Sequence, residues 1–242
     1  MRRIRITVSY DGTDYYGWQV QPGLPTIQGI VEAVVSEIEG AEVKVEGSGR
    51  TDAGVHALAQ IAAFSLSNPI PTPNLEKAMN RLLPRDIRVL SAKETHENFH
   101  PRFDAVAKTY EYRILRAAIC SPFERRYVHH FPYPLDESRI FELAGTLEGE
   151  HDFSNFAAAD DRDELGHSKV RRIFTSVATR EGDRLIYRVR GSGFLKHMVR
   201  NIVGYLLEAG KGNVASKGPT APARGLFLVS VEYDPHNPPA AP

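Results

Sequence analysis

The sequence predicts an α+β protein made of two ferredoxin-like halves with antiparallel sheets, because the element order β-α-β-β-α-β can be read twice along the chain. Composition agrees, since 42% of the 242 residues are hydrophobic and 25% are charged, values typical of a globular protein. We place the halves at residues 1–104 and 105–233, with a cleft between them. Residues 234–242 include four prolines and are expected to form a flexible tail.

The first half begins with a strand at residues 3–10, where apolar and polar side chains alternate as they do in a half-buried strand. Thr26 is a candidate N-cap for a helix that Gly40 ends. The remaining elements of this half are strands at 42–46, 58–66 and 87–92 and a helix at 73–83.

The second half repeats the order with longer strands. The helix at 194–209 has the strongest signal, because its apolar residues recur at a spacing of three and four. The residues at 181–183 predict a turn between two of the strands. Strands are expected at 107–115, 126–131, 169–178, 185–189 and 225–233, with a further helix at 136–147.

Charge is balanced overall, with 30 basic and 30 acidic residues, but the signs separate in the second half. Residues 136–164 carry ten acids and two bases, whereas residues 167–200 carry nine bases and two acids. The basic stretch is compatible with a polyanion-binding surface. It is equally compatible with a solvated face that complements the acidic stretch.

The sequence favours a cytoplasmic protein without a membrane partner. No apolar run approaches the roughly 20 residues that span a bilayer. Cys120, the single cysteine, cannot form an internal disulfide, which is typical of a reducing compartment. The first residues alternate like a strand and lack the apolar core of a signal peptide.

The segment at residues 47–57 is the densest run of small and polar residues, and it can present a carboxylate and a guanidinium from Asp52 and Arg50. It matches neither the dinucleotide-binding fingerprint nor the phosphate-binding P-loop, because the required glycine and lysine are missing. Its glycines would let a ligand approach the backbone closely. A plain turn, in which Asp52 bonds its own backbone, fits the same residues.

Residues 96–100 satisfy the zinc-protease pattern H-E-x-x-H, with His96 and His100 as candidate ligands. That chemistry requires a helix, and Pro101 disfavours helical backbone at the residue before it. We therefore expect no zinc site and interpret the segment as a polar linker anchored by Phe99 and Phe103.

The segment at residues 49–57, GRTDAGVHA, resembles the catalytic motif of the TruA-type tRNA pseudouridine synthases. Further segments that resemble this family occur in order at residues 16–19, 26–29, 99–103, 108–112, 151–154, 194–204 and 221–226. The resemblance covers nearly the whole chain, and several motifs in register are not expected by chance. It implies an isomerase that converts uridine to pseudouridine at positions 38, 39 and 40 of the tRNA anticodon stem-loop. It also implies a homodimer with no metal or organic cofactor.

The resemblance assigns Asp52 as the essential carboxylate. It leaves open whether Asp52 attacks the sugar at C1′, attacks the base at C6 or removes a ribose proton. Each route needs an ionised carboxylate, and a nearby cation favours that form. Arg200 resembles the family's basic partner for this carboxylate and would reach it from the other half. On pattern alone, a surface arginine also fits, but the position of Arg200 beside the apolar stripe of its helix favours partial burial.

Three further residues are assigned to the substrate by resemblance. Tyr110 would stack on or hydrogen-bond to the target base, Leu226 would form an apolar floor, and Arg50 would fill the gap left by a flipped nucleotide. On pattern alone, Tyr110 is equally a core tyrosine and Leu226 a plain strand residue. The basic stretch and the arginines at positions 2, 3 and 5 are candidates for phosphate contacts.

A second class of function fits the same predicted scaffold, namely a non-catalytic RNA-binding module. Asp52 discriminates between the two, because RNA binding alone gains nothing from a carboxylate placed among phosphates.

Overall fold

The computed structural model describes residues 1–159, 168–213 and 216–234, and the chain divides into two compact units. The first unit contains Met1–Val106 and the described residues from Leu228 on, and the second contains Ala107–Phe227. Most of the last strand therefore belongs to the first unit, whereas the sequence-based division assigns all of it to the second half. The predicted tail, apart from Asp234, lies outside the described residues.

The first unit is built on an antiparallel sheet. Its elements are β1 (Arg2–Tyr10), α1 (Ile27–Glu39), β2 (Glu46–Gly47), β3 (His56–Leu66), α2 (Thr72–Leu82) and β4 (Ile87–Thr95). The strand order is β4-β1-β3, with β2 on β3, and every one of these pairs is antiparallel. Alternation in β1 is confirmed, because Ile4, Ile6 and Val8 are fully buried.

Both predicted ends of α1 are confirmed. The Thr26 side chain accepts a hydrogen bond from the Gly29 N–H, so it caps the N-terminus. Gly40 adopts φ 78°, in the left-handed region where glycine carries no steric penalty, and its N–H donates to the Ser36 carbonyl. The helix therefore ends where the sequence predicts.

In the second unit, strands β5-β9-β8-β7 pair antiparallel in that order, whereas the short β6 pairs with β5 in parallel. The elements of this unit are β5 (Ala105–Leu115), which begins in the first unit, β6 (His129–His130), α3 (Glu137–Gly145), β7 (Gly149–Asp152), β8 (Val170–Glu181), β9 (Arg184–Gly191), α4 (Met198–Gly210) and the start of β10 (Leu226–Tyr233). Apolar side chains of both helices and three strands line one interior space: Ile114, Ile140, Ala178, Leu185, Tyr187, Val203, Leu206 and Leu207. The α+β class is thereby confirmed.

One predicted strand was wrong, one strand was missed, and the strand expected at 126–131 is confined to His129–His130. The strand expected at 42–46 is reduced to Glu46–Gly47, because the N–H groups of Val43 and Val45 donate to side chains of α1 instead of to a strand. The acceptors are Ser36 Oγ at 2.9 Å and Glu32 Oε1 at 3.0 Å. Conversely, β7 is an exposed edge strand without the apolar alternation by which a strand is predicted.

Helix α4 begins at Met198, four residues later than expected, because His197 adopts φ 60° and so stands outside the helix. Within the described part of the chain, every helix is too short or too polar to cross a bilayer.

Candidate active site

The loop at residues 48–55 joins β2 to β3 and carries Asp52. The Val55 N–H donates to the Asp52 carbonyl at 3.1 Å, which closes a tight turn. Gly54 sits at φ 75°, a conformation that a residue with a Cβ rarely adopts. The Asp52 side chain is half-buried, and the hydrogen bond from Val55 fixes the Asp52 backbone.

The same loop is pinned to the segment that follows β1. The hydroxyls of Tyr10 and Thr51 share a hydrogen bond of 2.8 Å, and burial raises the pKa of the Tyr10 phenol, so it stays protonated. The backbone N–H of Trp18 donates to the Thr51 carbonyl at 3.1 Å. Gly17 approaches so closely that a Cβ there would lie 2.4 Å from this carbonyl oxygen. Thr51 is therefore fixed on both its side chain and its backbone, immediately before Asp52.

The start of the loop is fixed by Gln60 on β3. Gln60 Nε2 donates to the Gly49 carbonyl at 2.8 Å, and its Oε1 accepts from the Ser48 hydroxyl. Arg50 lies at the exposed tip and its Nε donates to Gln19 Oε1 at 3.1 Å. The glutamine was not singled out in the sequence, because a polar residue on a buried strand gives no signal until its partner is known.

In the second unit, Tyr110 lies on β5 and is 7% exposed. Its ring packs edge-on against Phe194, with the centroids 5.0 Å apart. Leu226 begins β10 and is also buried. An aromatic ring and an aliphatic side chain at such positions offer apolar surface for a planar base.

Arg200, on α4, is tied to the segment before β10. Its Nε donates to the Ala221 carbonyl at 2.8 Å, and the Ala221 N–H donates to the Arg200 carbonyl at 3.1 Å. The Tyr112 hydroxyl donates to the next carbonyl, that of Pro222, at 2.7 Å. Burial raises the pKa of Tyr112, partly offset by the charges of Arg200 and Arg224. Helix and strand thus hold the same short segment, which leads to Leu226.

The predicted site residues are distributed over both units. Asp52 and Arg50 lie in the first unit, and Tyr110, Arg200 and Leu226 lie in the second. The expected pairing of Asp52 with Arg200 joins residues of different units and stays a prediction.

Part of the predicted basic stretch is engaged with acidic side chains. Arg188 Nε donates to Glu111 Oε2 at 2.7 Å, and Arg113 Nε donates to Glu111 Oε1 at 2.7 Å. Burial alone would raise the pKa of Glu111, but these two arginines outweigh it and lower the pKa. Arg180 Nη1 lies 2.5 Å from Oε1 of Glu137, in the acidic stretch. At this pair, the two stretches complement each other.

The N-terminal arginines also have partners. Arg2 pairs with Glu94 at 2.5 Å and Arg3 with Glu46. The Arg5 guanidinium lies 5.0 Å from the centre of the Tyr233 ring. Phosphate contacts by the first two arginines would have to compete with these carboxylates.

The H-E-x-x-H segment is not helical. Phe99 N–H donates to the His96 carbonyl in a turn, and His100 Nδ1 accepts from the Arg102 and Phe103 N–H groups. Among the residues that the structure describes, no group of three potential metal ligands converges. Phe99 is buried as expected, but Phe103 is 75% exposed and its ring packs on the neighbouring His100 ring instead of in the core.

Known proteins resemble this chain over nearly its whole length. A family model for tRNA pseudouridine synthase matches residues 6–104 and 143–216. The tRNA pseudouridine synthase A of Solibacter usitatus is 65% identical over 240 residues, covering 96% of this chain and 100% of the relative. The proteins of the same name from Bacillus pumilus and Limosilactobacillus fermentum are 43% and 42% identical, covering 96% and 97% of this chain and 99% and 97% of the relatives.

Proposed function

Because the chain belongs to the tRNA pseudouridine synthase family, we propose that it isomerises uridine to pseudouridine at positions 38, 39 and 40 of the anticodon stem-loop. The reaction class, conversion of uridine to pseudouridine in tRNA, follows from the family model and from relatives that match nearly the whole chain. The chain is therefore an isomerase. The finer choice of positions rests on the resemblance of the whole series of motifs, residues 49–57 among them.

The two units are proposed to be ferredoxin-like halves around a central catalytic cleft. The sheet of the first unit, β4-β1-β3 with β2 on β3, has the strand order of that fold. In the second unit, β5-β9-β8 has the corresponding order. We further propose that the enzyme acts as a homodimer in the cytoplasm, without a metal or organic cofactor.

Asp52 is proposed as the essential carboxylate. The reaction breaks the C1′–N1 bond and forms a C1′–C5 bond, while C5 loses a proton and N1 gains one, so the composition of the nucleotide is unchanged. A group that attacks the sugar or base, or takes a ribose proton, must be held at a fixed position. The turn at Asp52, with Thr51 bonded through its side chain and backbone, supports this role.

Tyr110 and Leu226 are proposed to contact the target uracil, and Arg50 to occupy the space that the flipped nucleotide leaves. Extruding a nucleotide costs a few kcal/mol, which contacts to the extruded base must offset. The buried ring of Tyr110 and the buried side chain of Leu226 supply apolar surface for this purpose. Arg50 is exposed at its loop tip, where a guanidinium can reach a helix of RNA.

The Asp52 proposal is tested by release of tritium from tRNA that carries uridine labelled at C5. Asp52→Asn should abolish release while the Kd for tRNA changes little, because the amide keeps the shape and removes the charge. Asp183→Asn, an exposed aspartate in the turn before β9, is the matched control and should behave like the unchanged enzyme. Turnover by Asp52→Asn at the normal rate would contradict the role. If the unchanged protein binds tRNA without releasing tritium, a non-catalytic RNA-binding module is indicated instead.

Arg200 is proposed as the cation that accompanies the Asp52 carboxylate. Its hydrogen bond to the Ala221 carbonyl offers a purely structural explanation, and two substitutions separate the two roles. Arg200→Gln keeps an N–H donor but removes the charge, whereas Arg200→Lys keeps the charge. If the charge matters, kcat falls much further for the glutamine variant than for the lysine variant. Equal losses in both would argue for a role in holding the segment alone.

A further inference from the structure

The structure assigns His56 as a positioning residue for Asp52, an inference that rests on the proposed function and deepens it. His56 begins β3, four residues after Asp52, and is 1% exposed. A buried imidazole needs a polar partner, because an unsatisfied ring nitrogen costs about 1–3 kcal/mol. Its partner is the loop that follows β1: the Gly12 N–H donates to His56 Nδ1 at 3.1 Å.

The contact is connected to Asp52 through the backbone. Gly12 lies so close to Val55 that a Cβ on Gly12 would stand 1.9 Å from the Val55 carbonyl oxygen. The Val55 N–H in turn donates to the Asp52 carbonyl at 3.1 Å. The ring of His56 therefore holds Gly12, Gly12 packs on Val55, and Val55 closes the turn that carries the carboxylate.

Two groups compete for Nδ1 of this ring. If Nδ1 accepts from Gly12, it carries no hydrogen, and the neutral ring has its hydrogen on Nε2. The Asp11 carboxylate oxygen Oδ1 lies 3.1 Å from the same Nδ1 and accepts from the N–H and hydroxyl of Thr13. A hydrogen on Nδ1 would be donated to Asp11, and the ring could then no longer accept from Gly12. We assign the arrangement in which Nδ1 accepts from Gly12, because Asp11 Oδ1 already accepts two hydrogen bonds from Thr13.

Substitutions at His56 distinguish the effect of a hydrogen-bond acceptor at the position of Nδ1 from the effect of a side chain that only fills the same volume. In His56→Asn, Oδ1 comes closest to the position of Nδ1 and can accept from Gly12. In His56→Gln, the amide reaches towards the position of Nε2 instead, and His56→Phe keeps the ring without any acceptor. All three are compared by single-turnover pseudouridine formation at saturating tRNA, by the Kd for tRNA and by thermal unfolding.

We expect the phenylalanine and glutamine variants to form pseudouridine about 10–100-fold more slowly, because a misplaced reacting group costs up to that much. The Kd for tRNA should stay within about twofold, since no binding contact is removed. His56→Asn should recover most of the rate. A merely structural role would lower the unfolding temperature of all three variants and leave the rate per folded molecule unchanged, which would overturn the inference. If the phenylalanine variant does not fold, the comparison of asparagine with glutamine decides alone.

Asp11→Asn tests the competing arrangement, in which a protonated His56 is paired with Asp11. The amide oxygen can still accept from Thr13, so in our assignment the rate changes little. A loss as large as that of His56→Phe would mean that the ion pair, rather than the Gly12 contact, holds the loop.

Failure of the proposed function can be distinguished from failure of the His56 inference. An unchanged enzyme that forms no pseudouridine removes the proposed function and this inference together, whereas an active enzyme with equal rates in all variants removes only the inference.

Discussion

The Asp52 loop of the first unit and the segment at residues 216–222 of the second are both irregular, yet they are held by different means. In the first, neutral side chains of the neighbouring strands bond to the loop: Tyr10 to Thr51, Gln60 to Gly49. The second segment lies against α4 with backbone on backbone, since a Cβ on Gly204 would stand 1.8 Å from the Pro219 carbonyl oxygen. Close backbone approach occurs in both regions, at Gly17 in the first and at Gly204 in the second. The difference is that the side chains bonded to the first loop are neutral, whereas the second segment is bonded by the charged Arg200 together with Tyr112.

The largest effect on this comparison is expected from Gly204→Ala. Alanine normally favours a helix over glycine by about 1 kcal/mol. Here the added Cβ meets the backbone of Pro219, which cannot rotate away as a side chain would. We expect the free energy of unfolding, measured with guanidinium chloride, to fall by about 3 kcal/mol, at the upper end for overpacking.

The control is Gly145→Ala, at the end of α3, where a Cβ meets nothing within 4 Å. It should leave the free energy of unfolding nearly unchanged or slightly raised. If Gly204→Ala behaves in the same way, the segment is not held by close backbone packing.

A smaller effect is expected from removing one hydroxyl in each region. Tyr10→Phe removes the partner of the Thr51 hydroxyl, and Tyr112→Phe removes the donor to the Pro222 carbonyl. Each should lower the free energy of unfolding by about 1 kcal/mol, the usual net value of a hydrogen bond. Because the two hydroxyls bond to different segments, the double variant should lose the sum of the two. A clear departure from additivity in denaturant unfolding would show that the two regions are coupled.

The smallest effect concerns pH and lies in the second unit alone. Burial lowers the pKa of His129 from 6.5 to about 4, with the charges of Arg224, His130 and Lys211 acting in the same direction. The unfolded chain therefore binds more protons than the folded one between pH 6.5 and 4, so this residue makes the protein less stable as the pH falls through that window. His129→Phe should flatten the fall in unfolding temperature there, and an unchanged pH profile would contradict it.

Phenylalanine is the replacement for His129 that keeps its aromatic packing. The His129 ring packs edge-on against Tyr112 and Phe131, with centroids 6.1 Å and 5.8 Å away. Within the described part of the chain, its Nδ1 has no hydrogen-bond partner, so phenylalanine removes the titration without leaving a donor unpaired.

Much of the architecture was determined by short-range patterns in the sequence. Alternation at residues 3–10 predicted β1, and the cap residues Thr26 and Gly40 predicted both ends of α1, because these signals depend only on the nearest neighbours along the chain. The loop at residues 47–57 was likewise identified from its own composition and from its resemblance to one family. The α+β class followed from the order of such elements.

Only the tertiary structure decided what depends on partners distant in sequence. The strand expected at 42–46 is lost to Glu32 and Ser36 on α1, and β7 exists because β8 offers it an edge to pair with. The placement of Gly12 against His56, 44 residues later, is of the same kind. Periodicity and propensity describe how a residue behaves beside its neighbours. The partners that hold Asp52 in place are determined by tertiary packing, and no local sequence pattern identifies them.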